Sequence, residues 1–209
     1  MKSLLIGVFI IFTSTIAFSQ PKLDVTLLKL KAPETFKAEF ITSAGNFTIE
    51  VYRKWAPVAA DRFYQLVKTG YYNNCLVFRA VKNNLVQFGV SPDKTKNIFW
   101  QKHYLQDEPA VASNTDSTIC FARGGPNTRK TSVFTNFKNN PAYDTTTISG
   151  VKGFIPFGKI INGMDIVQQL NNEYGNEPML SVDSVYFKGN EHLLKKYPKL
   201  DIIKDVRLL

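Results

Sequence analysis

Few side chains in this sequence are equipped for covalent or metal chemistry. There are two histidines, His103 and His192, and two cysteines, Cys75 and Cys120. Neither cysteine has a histidine close by, so no metal site is indicated. No Gly-x-Ser-x-Gly nucleophile elbow occurs, which leaves a hydrolase with little support. Gly124-Gly125 is not a phosphate loop, because no Gly-Lys-Ser/Thr follows it. Arg79 is the side chain that stands out. It sits in the apolar run Leu76–Val81, where strand alternation places it on one side with Val77 and Val81. A guanidinium there is a permanent charge carrying a rigid fork of donors. If the chain turns at residues 82–84, Gln87 falls opposite Arg79 and can orient it. Two readings stand: a donor held for chemistry, or a sheet-surface arginine paired with a carboxylate.

The elements that must position Arg79 read mostly as strands. Phe36, Ala38 and Phe40 alternate with polar residues, and so do Phe47, Ile49 and Val51. Ser43-Ala44-Gly45-Asn46 between them supplies turn chemistry, giving a β-hairpin with one buried face. Pro57 opens an amphipathic helix over 57–69, with Ala59, Phe63, Leu66 and Val67 on its apolar side and Asp61 and Arg62 elsewhere. Gly70 suits its C-terminal cap. A second hairpin pairs Leu76–Val81 with Leu85–Phe88. Further strands are expected at Thr118–Ala122, Ser132–Phe137, Phe154–Ile161, Val182–Phe187 and Ile202–Leu208. Helices are expected at Met164–Leu170 and near His192–Lys196, and residues 91–117 and 138–152 read as loops. Many short strands with few helices indicate an all-β barrel or sandwich in one domain. A closed barrel has no free strand edges, which suits a monomer.

The formal charge of +9 is spread along the chain, with its densest cluster at Lys195, Lys196 and Lys199. Scattered lysines are read as a solvated face, and nucleic-acid binding would rest on charge alone. Residues 1–19 read as a signal peptide: Lys2, an apolar run from Leu4 to Phe12, then Ala17 and Ser19 before cleavage at Gln20. The alternative is an uncleaved anchor, but the run is too short for a good membrane span. Loss of Lys2 takes the charge from +9 to +8. Residues 20–35 form an N-terminal extension and 36–209 the folded domain. The product is expected to be exported, periplasmic or secreted, without stable membrane insertion. One bridge between Cys75 and Cys120 is possible there, or two separate buried thiols.

Five segments in order resemble the cyclophilin-type peptidyl-prolyl cis-trans isomerases. They are AGNFTIEVYRKWAPVAADRFYQLVKTGYY, LVFRAVKNNLVQFG, ICFARGGPNTRKTSVF, PFGKIINGMDIV and the tail KKYPKLDIIKDVRLL, which looks like that of secreted bacterial members. The resemblance covers about residues 36–209. It implies a closed eight-stranded antiparallel β-barrel capped by two helices, which binds X-Pro segments and speeds their cis-trans rotation with no cofactor and no metal. It implies Arg79 as the catalytic donor. It also implies a substrate site of Gln87, Leu85, Asn84, Ala122, Arg123, Ser132, Phe134 and Phe154, with Phe134 as the floor of the proline pocket. The partners would be proline-containing polypeptide segments in exported proteins. Several positions depart from the family pattern. Phe78 replaces a His, Asn84 an aromatic, Phe88 a Gly, Ser132 a Gln, Arg123 an Asn and Phe154 a His, while Tyr143-Asp144 stands for Leu-Asp. The alternative these departures suggest is a catalytically weak cyclophilin-like module that binds proline-containing or unfolded segments.

Overall fold

The computed structural model describes residues 23–209, so the signal peptide expected at 1–19 lies outside the described residues. Ten strands form: β1 (Thr35–Thr42), β2 (Asn46–Tyr52), β3 (Cys75–Val81), β4 (Leu85–Phe88), β5 (Thr118–Phe121), β6 (Val133–Asn136), β7 (Thr147–Ile148), β8 (Val151–Lys152), β9 (Pro156–Asn162) and β10 (Ile202–Leu208). Eight of them close a barrel in the order β1-β10-β3-β4-β6-β5-β9-β2, every pair antiparallel. β7 and β8 make a separate ribbon. The helices are α1 (Pro57–Lys68), α2 (Lys94–Gln101), α3 (Ala142–Thr145), α4 (Met164–Gln169), α5 (Val185–Lys188) and α6 (Asn190–Lys196). The expected pair of flanking helices is thus supplemented by short ones in the long connections.

Period-two burial drives the barrel. Phe36, Ala38 and Phe40 of β1 and Phe47, Ile49 and Val51 of β2 all point inward. Phe40 stacks on Phe47 at 4.9 Å between ring centroids. Phe63 enters from α1 and reaches Phe157 at 5.1 Å and Tyr72 at 5.6 Å, so the helix docks on the barrel through an aromatic. Each such buried ring contributes roughly 1.5–3 kcal/mol. α1 starts at Pro57 and stops at Gly70, whose φ of 60° permits the turn that ends it. Gly70 N–H donates to Val67 O and Tyr71 N–H to Leu66 O, both at 2.9 Å, the paired bonds of a Schellman cap. Both cysteines are free and buried, Cys75 in the main core and Cys120 in a separate outer cluster.

The structure departs from the sequence reading in four places. Residues 91–117 contain α2, capped by the Asp93 carboxylate, which accepts from Thr95 N–H at 2.9 Å and Lys96 N–H at 3.1 Å. Residues 138–152 contain α3 and the β7–β8 ribbon, whose turn at Ser149 and Gly150 has positive φ at both positions. Val182–Phe187 is not a strand. It is the end of a 3-10 helix, Glu177–Ser184, continuing into α5. The barrel is already closed without it, and Val182 and Val185, three apart, lie on the outer apolar face of Leu76 and Phe78. Finally, Arg79 does not share a side with Val77. The register slips by one residue between Val77 and Arg79, so Val77 and Ala80 enter the core while Phe78 and Arg79 both face outward.

Candidate active site

Strand pairing assembles the site in one row. Arg79 of β3 is registered with Gln87 of β4, Gln87 with Phe134 of β6, and Phe134 with Cys120 of β5. Directly opposed residues share a face, so this row lies across the outside of the barrel. Leu85 and Ala122, each two residues along from a member of the row, join the same face. They line one hollow of about 250 Å³ with Arg79, Gln87, Arg123, Phe134 and Phe154. Phe134 is its buried floor, meeting Phe154 edge-on at 5.0 Å and Tyr143 at 5.9 Å.

Arg79 is half-buried and has no carboxylate within ion-pair distance among the described residues. Its Nη1 donates to Gln87 Oε1 at 3.1 Å and its Nε to Asn176 Oδ1 at 2.7 Å. Burial lowers its pKa from the ordinary arginine value, the mark of a charge removed from water without an anion to offset it. The group remains a cation at any physiological pH. Gln87 is held in turn, its Nε2 donating to Ser132 Oγ at 3.1 Å, and Ser132 Oγ donates to Phe88 O at 3.2 Å.

Not every residue implied by the resemblance lines this hollow. Ser132 acts from behind, through Gln87, and belongs to the adjoining trough. Asn84 lies in the β3–β4 turn outside it, with its main chain bonded to Val81 and Phe137. Arg123 contributes its side chain. Nη1 donates to Ile148 O at 3.2 Å, and Nη2 to Val151 O at 3.0 Å and to Gly153 O. Its guanidinium lies 4.6 Å over the Phe154 ring.

Four residues near the hollow escaped the sequence reading of the site: Tyr143, Ile148, Met179 and Asn176. Tyr143 and Ile148 come from the connection 138–152, and Asn176 and Met179 from the one between α4 and β10. Asp144, next to Tyr143, carried the available signal. Its carboxylate accepts from Asn114 N–H at 2.8 Å and Asn114 Nδ2 at 2.7 Å. Buried Asn114 also donates to Phe154 O and accepts from Asn136 and from the Cys120 thiol, which ties the Tyr143 and Phe154 loops to the barrel.

A cation beside a largely apolar hollow can hold a small apolar ring and bond to the group next to it. The profile of the cyclophilin type peptidyl-prolyl cis-trans isomerase/CLD family matches residues 37–186. A peptidyl-prolyl cis-trans isomerase of Acinetobacter baylyi is 28% identical over 147 residues, spanning 70% of this chain and 77% of that protein. Peptidyl-prolyl cis-trans isomerase-like 1 of Aspergillus fumigatus is 30% identical over 151 residues, covering 70% and 88%. In fold, a cyclophilin type isomerase of Cryptosporidium parvum superposes with a TM-score of 0.59 at 20% identity, covering 84% of this chain and 98% of that one. That protein has also been solved in the presence of the dipeptide Ala-Pro. On the strength of the profile match over most of its barrel, this chain belongs to the cyclophilin-type peptidyl-prolyl cis-trans isomerase family.

Proposed function

We propose that this chain isomerises X-Pro bonds of exported proteins, with Arg79 as its catalytic donor and the Phe134 hollow as its proline pocket. Rotation about the peptide bond must break the conjugation of nitrogen with carbonyl, a barrier of about 18–20 kcal/mol. As the bond twists, electron density returns to the nitrogen. A guanidinium N–H aimed at it bonds better to the twisted amide than to the planar one, and that difference is what accelerates the reaction. Leu85, Ala122, Phe134 and Phe154 grip the ring while the preceding carbonyl swings. The observation that carries this reading is the uncompensated Arg79 guanidinium at the lip of an apolar hollow floored by Phe134.

In an isomerisation assay on a proline peptide, Arg79→Ala is expected to lower kcat/KM about 100-fold or more, the usual effect of losing one aimed donor. Equal rates for the two proteins would defeat the assignment.

The exported substrate class rests on residues 1–19, with their basic start, apolar run and small-residue end, and a place in the secreted bacterial branch rests on the tail KKYPKLDIIKDVRLL. Among the described residues no helix is long and apolar enough to cross a membrane. Protein recovered from outside the cytoplasm should begin at Gln20 by intact mass. Recovery only of the uncleaved chain from the cytoplasm would remove this part of the proposal.

A further inference from the structure

Arg79 is clamped from two sides. Gln87 reaches it from the neighbouring strand, and Asn176 from the long excursion between α4 and β10, 97 residues along the chain. Asn176 occupies the N-cap of the 3-10 helix Glu177–Ser184, where an asparagine side chain ordinarily accepts from the helix's own first N–H groups. It makes no such capping bond; its Oδ1 accepts from Arg79 Nε instead. The 2.7 Å separation is the shorter of the two bonds to the guanidinium. Gly175 before it has a φ of 54°, a left-handed turn that delivers Asn176 to the groove. Tyr174 anchors the turn by packing edge-on against Tyr197 at 5.2 Å.

Building on the role of Arg79 given above, we propose that Asn176 is a positioning residue for isomerisation. It fixes the guanidinium by its Nε and leaves the charge uncompensated. Both acceptors on Arg79 are neutral carboxamide oxygens. Together they occupy two of the five N–H donors and leave three for the substrate. A carboxylate in place of Asn176 would hold the arginine equally well and cancel the field it presents to the twisted amide. The excursion thereby becomes part of the active site: Met179, three residues further on, lines the proline hollow.

The test is steady-state kinetics on a proline peptide with Asn176→Ala, Asn176→Asp and the double variant Arg79→Ala/Asn176→Ala. Loss of one bond to a charged group predicts that Asn176→Ala lowers kcat about tenfold while KM stays within about twofold. Asn176→Asp should also lose kcat, although it restores an acceptor. In the Arg79→Ala background, removing Asn176 should change nothing further. Wild-type kcat in Asn176→Ala or in Asn176→Asp would overturn the proposal, as would an additive loss in the double variant. Arg79→Ala with wild-type turnover would instead strike at the catalytic assignment itself, so the two failures are separable. Thermal melting of each variant accompanies the kinetics, and a kcat loss that tracks lowered melting temperature rather than the Arg79 background also overturns it.

Discussion

The guanidinium of Arg123 donates to Ile148 O, Val151 O and Gly153 O, and so binds the end of β5 to the β7–β8 ribbon beside the hollow. In the sequence, Arg123 stands out only as a departure from the family's Asn. The side chain has a job of its own: it holds Ile148 as a wall of the hollow and covers Phe154. The bonds of Arg123 run to the ribbon and those of Arg79 to Gln87 and Asn176, so on the proposed mechanism Arg123 serves binding rather than the rotation step. Arg123→Ala is therefore expected to raise KM for a proline peptide severalfold, with kcat within about twofold of wild type. Steady-state kinetics decide it, and a fall in kcat at constant KM would contradict this placement.

At the scale of elements, α1 is the best example of a helix whose polar side is not a solvent side. Asp61 and Arg62 fall off the apolar stripe, as the spacing predicts, yet both are buried. The N-terminal extension covers Asp61, while Trp100 and His103 cover Arg62. Asp61 accepts from Ala32 N–H and from Arg53 Nε, each at 2.8 Å, with Lys31 Nζ at 3.1 Å. Arg62 Nη1 donates to His103 O at 2.7 Å. Burial pushes the Asp61 carboxyl up, but the bonds from Arg53, Ala32 and Lys31 outweigh it and hold the group below its ordinary 3.8. A carboxyl depressed in the folded state stabilises above its unfolded pKa, and that stability is lost as pH falls through the folded value. The melting-temperature gap between wild type and Asp61→Asn should therefore be full at neutral pH and close as pH falls below about 4. A gap that does not change with pH would show that Asp61 contributes only shape. α5 lies beyond what spacing alone resolves. Val182 and Val185 of the excursion are apolar at a spacing that a short run cannot assign to helix or strand, and only the closed barrel decides.

Across the whole molecule, what was legible in the sequence was what the barrel repeats. The hairpins β1–β2 and β3–β4, helix α1 and strand β10 lie within a residue or so of where alternation and turn chemistry place them. Gln87 opposite Arg79 followed from the turn at 82–84. Ordinary pairing carries no sign of the one-residue bulge beside Arg79, so the faces of Val77 and Arg79 were not separable in advance. The remaining walls of the site, Tyr143, Ile148, Met179 and Asn176, lie on connections with no period of their own, brought in by contacts distant in sequence. The molecule thus places a fixed cation from a strand against a hollow completed by loops. On the proposed mechanism this cation acts on the rotating bond rather than on binding. NMR exchange of a proline peptide at saturating protein separates the two. For Arg79→Ala, cis-trans exchange in the bound state is expected to be slower by about 100-fold, with peptide affinity within about threefold of wild type. Bound-state exchange at the wild-type rate would contradict it.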